Sequence, residues 1–231
     1  MEYLIDGLWQ AWAVLLTGHA ETYSAIWTTV LVSSMSIEAS LILGAPLGFL
    51  LGHLRFRGKK PLRTLVDTAL SVPTVVIGLF VYAFLSRRGP LGGLGLLFTL
   101  PGVAVGQTIL GLPIVVAMTA TAVEALDRRL TNTLLTLGAD RRQLLATTLW
   151  EARFSVVLAA MAAYGRIVSE IGISMMVGGN IKWHTRTVTT AIALETGKGE
   201  FAMGIALGLV LLAVALGVNV AAGALRRLAE R

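Results

Sequence analysis

Long uninterrupted apolar runs decide what this chain can become. A hydrocarbon core about 30 Å thick takes about 20 apolar residues as helix. Ala25–Gly52, Leu65–Leu85 and Phe201–Leu225 each reach that length, and Gly102–Val123 and Phe154–Val177 add two more. Lipid offers no partner for a bare backbone N–H or C=O, so such runs fold as helices that bond within themselves. Only 14% of the 231 residues are charged, against about a quarter in a soluble domain. The expected fold is therefore all-α, a polytopic bundle of about five transmembrane helices over residues 22–226. No length remains for a separate soluble domain.

Several function classes drop out at once. There is no cysteine, so neither a disulfide framework nor a thiolate metal site is available. His19, His53 and His184 lie far apart at span edges or in loops, and a metal site built from them is not expected. The isoelectric point near 10.2 suggests nucleic acid at first sight. The basic residues instead cluster beside the spans, where they set topology. Arg55, Arg57, Lys59, Lys60 and Arg63 fall in one loop, and Arg128, Arg129, Arg141, Arg142 and Arg153 in another. Arg226, Arg227 and Arg231 lie at the C-terminal end, with 227–231 read as a cytoplasmic tail. Arg87, Arg88, Lys182, Arg186 and Lys198 fall on the opposite side. That imbalance predicts an N-terminus outside and a C-terminus in the cytoplasm, with Lys182–Arg186 locally basic on the unexpected side.

Residues 1–21 read differently. Leu4, Ile5, Leu8, Trp9, Trp12, Leu15 and Leu16 recur at helical spacing among polar residues. The segment is expected to be an interfacial amphipathic helix with its tryptophans at headgroup level, a sixth span being the alternative. The positive n-region of a signal peptide is missing.

Within the spans, Gly44, Gly48 and Gly52 repeat every four residues, as do Gly204 and Gly208. Such spacing lets helix backbones approach closely, either within one subunit or across a dimer. Pro46, Pro73 and Pro113 are expected to kink their helices. Glu38, Arg166 and Glu170 are ionisable groups at bilayer depth, where a charge faces protein or water. Glu38 is expected to bond to a neighbouring helix. Arg166 and Glu170 stand i, i+4, so one helix face can pair them. That pair reads either as structural or as part of a pathway in which Arg166 offers positive potential to an anion. Lys198 after Gly197 does not complete a phosphate loop, because Ile192 replaces the first Gly and Gly199 the Ser or Thr. No nucleophile–base pair or paired carboxylate suggests an active site.

The polar stretch Glu124–Arg153 is the exception to this lipid chemistry. Leu126, Leu130, Leu134 and Leu137 recur at helical spacing up to Gly138. Gly138 suits a helix end, Asp140 suits the cap of the next helix, and Leu144, Leu145, Thr148 and Leu149 continue the period. A helix–turn–helix at the membrane face fits an apolar groove on a partner; the alternative is a helix lying on the bilayer.

At these residues the chain resembles the permease subunits of type I ABC importers. In their signature, Glu-Ala-Ala precedes a central Gly by three residues. Here Gly138 holds that position, followed by Ala139, Asp140 and Arg141, while Asn132-Thr133-Leu134 stands for Glu-Ala-Ala. Thr148, Trp150 and Glu151 stand for the signature's Ile, Leu and Pro. The segment Tyr164–Gly172 is similar to the Gly-Arg-x-x-x-Glu-x-Gly segment of the oxyanion branch, which covers molybdate, tungstate and sulfate. Met175–Ile181, Thr189–Phe201, Ser71–Leu79 and Ser86–Gly92 look like tungstate-type permeases.

The resemblance implies a homodimer in a prokaryotic cytoplasmic membrane. It implies a cytoplasmic ABC ATPase dimer holding ATP and Mg, and an extracytoplasmic oxyanion-binding protein. The chain itself would bind no cofactor and catalyse nothing. Asn132, Leu137, Gly138, Ala139, Asp140 and Arg141 would form the ATPase-coupling loop. The runner-up within the class is a molybdate or sulfate permease. A stand-alone transporter using Glu38 and Glu170 as proton carriers is the alternative outside it, though the chain lacks the internal repeats usual in such folds.

Overall fold

The computed structural model describes residue 9, residues 20–54, 56–126, 133–134 and 136–229. The interfacial helix expected over 1–21 therefore lies outside the described residues, save Trp9, which is helical and exposed, and the start of the next helix. Among the described residues every regular element is helical: α1 (Ala20–His53), α2 (Lys59–Ala69), α3 (Thr74–Leu85), a single 3-10 turn (Gly92–Leu94), α4 (Leu100–Ala125), α5 (Arg141–Val168), α6 (Gly172–Gly178), α7 (Val188–Gly197) and α8 (Phe201–Ala229). Among the described residues, α1, α4, α5 and α8 are each long and apolar enough to cross a membrane, and the bent pair α2–α3 makes a fifth candidate.

Two expected spans are built otherwise than the hydropathy suggested. The run Leu65–Leu85 is not one helix, since α2 and α3 meet at 95°. Pro73 lacks an N–H and steers Val72 away from helical angles, so the chain turns there. At twelve residues, α3 is only about 18 Å long. The run Phe154–Val177 also divides. The second helix expected in the polar stretch has no stop signal before the span, so Arg141–Val168 is one continuous helix. It ends at Ser169, and Glu170 lies in the break before α6. Pro46 and Pro113, by contrast, lie within helices that continue past them.

The innermost contact is between α1 and α4. A Cβ at Gly48 would stand 2.6 Å from the Val116 carbonyl oxygen, and one at Gly52 2.7 Å from that of Ala120. The first glycine repeat thus serves packing within the subunit. The second does not match it, for nothing lies within 4 Å of a Cβ at Gly208. A buried polar seam ties α1 and α4 to α6 and α7. Ser36 Oγ lies 3.0 Å from Gln107 Oε1, and Gln107 Nε2 donates to Ser174 Oγ at 3.2 Å. Thr189 donates to the Glu170 carbonyl at 3.0 Å, and the Val188 N–H donates to Thr29 at 2.9 Å.

Gly48→Val is expected to force α1 from α4 at a cost of about 1–3 kcal/mol, lowering the thermal midpoint of the detergent-solubilised protein. Gly217→Val, with no atom within 4 Å of its Cβ, should leave it unchanged. Equal midpoints for the two variants would contradict the α1–α4 contact.

Candidate functional site

The Gly138 turn is built by paired end signals. The Leu137 N–H bonds the Thr133 carbonyl at 3.0 Å, and the Ala139 N–H reaches back to that of Leu134 at 2.9 Å. This closure needs a left-handed residue, and Gly138 supplies φ 79°. Asp140 then caps α5: its Oδ1 accepts from the Gln143 N–H at 2.7 Å, and Gln143 Oε1 accepts from the Asp140 N–H at 2.9 Å. Arg141 opens the helix. Asn132 lies outside the described residues.

What the turn presents is apolar. Leu137 is 78% exposed, and Leu145, Leu149 and Trp150 on the first turns of α5 are exposed as well. The Arg153 guanidinium stacks on Trp150 and Phe154 at 4.2 and 4.1 Å and holds that ring in place. The 28 residues of α5 make a rod about 42 Å long. Its first turns therefore extend beyond a hydrocarbon core of about 30 Å.

Near the far end of the same rod stands the ion pair. Arg166 approaches Glu170 Oε2 at 3.3 Å, across the helix end rather than along one helix face. The Glu170 side chain is 2% exposed. Its other oxygen accepts from the Ile173 N–H at 3.1 Å and starts α6. Glu170 is thus a buried cap whose charge Arg166 balances, while nearly half of Arg166 remains open. Glu38 departs from expectation. It is exposed near the middle of α1 and makes no hydrogen bond or ion pair among the described residues. An unpaired carboxylate at that depth is unsuited to a lipid-facing surface.

A third cluster was not legible in the sequence. Glu21 pairs with Lys182 Nζ at 2.6 Å and with Arg186. Arg186 Nε also donates to Asn180 at 3.1 Å. Glu21 therefore offsets much of the basic character of Lys182–Arg186. Its partners lie some 160 positions away, and no local pattern announces them.

A sequence profile for the inner membrane component of binding-protein-dependent transport systems matches residues 44–231. The chain belongs to this family. Among its relatives, the tungstate uptake system permease protein TupB of Campylobacter jejuni is 46% identical over 98% of this chain and 95% of its own length. TupB of Peptoclostridium acidaminophilum is 35% identical over 95% and 96%. The molybdenum transport system permease ModB of Azotobacter vinelandii is 31% identical over 78% and 83%. Among solved structures, the inward-facing MetNI methionine ABC transporter superposes with a TM-score of 0.77 at 20% identity, covering 93% of this chain and 99% of that one. That likeness establishes the ABC-importer permease fold.

In this permease, Arg166→Ala would leave the buried Glu170 carboxylate with a backbone donor alone. Water screens the half-open arginine, so the expected loss of stability is about 1–2 kcal/mol. Arg166→Ala with Glu170→Gln should recover most of it, because glutamine Oε1 still accepts from the Ile173 N–H. Thermal unfolding of both variants checks this; equal losses would contradict charge balance as the role of the pair.

Proposed function

We propose that this chain is the membrane-spanning subunit of an ABC importer that carries tungstate, or a related tetrahedral oxyanion, into a prokaryotic cell. The observation that carries the reading is the near full-length likeness, at 46% identity, to a permease named for tungstate uptake. Two copies would form the pathway in the cytoplasmic membrane. An oxyanion-binding protein would deliver the ion from outside. ATP and Mg would be held by a dimer of ATPase subunits on the cytoplasmic side, and the permease would take no chemical part in hydrolysis.

The Gly138 turn suits the ATPase contact. It joins an exposed Leu137 to a capped helix whose first turns expose Leu145, Leu149 and Trp150. Arg141 and Arg142 stand at the positive end of the α5 dipole, a combination that favours an acidic rim on the partner groove. Because α5 is unbroken from Arg141 to Val168, a push at the turn moves Arg166 about 38 Å away along the same rod. ATP-driven approach of the two ATPases would thus tilt α5 and switch the permease between inward-open and outward-open states. The open part of Arg166 would offer positive potential to an anion crossing between them. The orientation, N-terminus outside and C-terminus inside, follows the excess of Lys and Arg on the side of the turn.

Asp140→Arg and Gly138→Pro are expected to abolish co-purification with the ATPase while the permease still inserts. Loss of the cap alone costs about 1 kcal/mol; the rest would come from misplacing Leu137. Normal assembly and ATP-dependent uptake in both variants would overturn the coupling role. For the cargo, the partner binding protein should prefer tungstate over molybdate and sulfate in calorimetric titration. Equal affinity for the three would remove the tungstate reading and keep the fold.

A further inference from the structure

A second group of cations lies beside Glu124, away from Arg166. None of the residues of α2 is buried, yet one edge of it is firmly fixed. Lys59 Nζ donates to the Gly52 carbonyl and meets Glu124 Oε1, both at 3.0 Å. Arg63 NH2 donates to Thr121 at 2.6 Å, and its Nε meets Asp67 at 3.3 Å. Lys59, Lys60, Arg63, Phe56 and Glu124 line an open cavity of about 840 Å³.

Three observations make this cavity suited to an anion. Arg63 NH1 is shielded from solvent with no hydrogen-bond acceptor in reach, Glu124 Oε2 standing 3.8 Å away. Lys60 and Arg57 are exposed and pair with nothing among the described residues. The first turn of α2 holds no acidic residue, and Gly58 provides no side-chain cap, so the positive end of the helix dipole adds to the charge of the lysines instead of offsetting it. Beside the cations the surface turns apolar: Leu62 is 42% and Leu65 66% exposed on α2, and Phe56 is exposed at the cavity.

We infer that this cavity holds the phosphate of an anionic phospholipid. Its headgroup lies against Lys60 and the start of α2, beside the Arg63 guanidinium, and its acyl chains lie along Leu62 and Leu65. Ammonium, guanidinium and free helical N–H groups are the donors that phosphate oxygens take. The adjoining apolar flank selects a lipid phosphate over a free one, and a helix bent 95° from its neighbour, with exposed leucines beside its cations, suits the bilayer interface. Lys59 and Arg63 link α2 to Glu124, so lipid bound there sits beside the residue at which the polar stretch begins. The site does not depend on which ion the permease carries.

Native mass spectrometry and thermal shift on the full-length permease in neutral detergent test this. Phosphatidylglycerol should bind about ten-fold more tightly than phosphatidylcholine with the same chains and raise the midpoint, while inorganic phosphate should not. Lys60→Gln should weaken the preference about five-fold, and adding Arg57→Gln should weaken it further. Neither should change the lipid-free midpoint, since both side chains are unpaired. Equal affinity for the two lipids, or a preference unchanged in both variants, would overturn the inference. A full shift from inorganic phosphate alone would overturn the lipid assignment in favour of a free anion.

Discussion

In lipid, helices gain nothing by hiding apolar surface from one another, so this bundle depends on how closely α1 and α4 approach. Glycines at 44, 48 and 52 bring the α1 backbone against that of α4. Dispersion between closely packed atoms replaces the hydrophobic effect there. Hydrogen bonds then extend the hold outward. Gln107 reaches from α4 to Ser36 on α1 and Ser174 on α6, and the Glu170 carbonyl takes Thr189 of α7. In this way a short helix and a break, each marginal alone, are fixed beside a rigid pair.

The same continuity runs into the polar stretch, where α5 begins. A capped turn on a floppy element could bind a partner but could not transmit its movement. Here the Asp140–Gln143 capping box begins the same helix that ends two residues after Arg166. The buried carboxylate of Glu170 then fixes where the next element starts. The helix α5 thus carries the turn at one end and the charged pair near the other, and α8 packs beside it.

Much of this was legible in the residues. Apolar length marked the spans, the Gly138–Asp140 pair marked the turn, and the i, i+4 spacing marked Arg166 with Glu170. The misreadings share a cause. Hydropathy does not register a helix bend, so Leu65–Leu85 looked like one span when Pro73 divides α2 from α3. It also drew a boundary at Phe154 where no stop signal exists, hiding the continuity of α5. Long-range partners leave no local trace, so the Glu21 cluster and the Gln107 seam went unseen. Nor does any local signal show that Glu38 has no partner among the described residues.

The most direct test of the whole account is transport itself. Proteoliposomes would hold the permease with its ATPase, with the binding protein and labelled tungstate on the outer face and ATP inside. Tungstate should accumulate against its gradient, accumulation should stop without ATP or without the binding protein, and excess sulfate should barely compete. Uptake driven by a proton gradient with no ATPase present, or no tungstate uptake from the complete system, would contradict it.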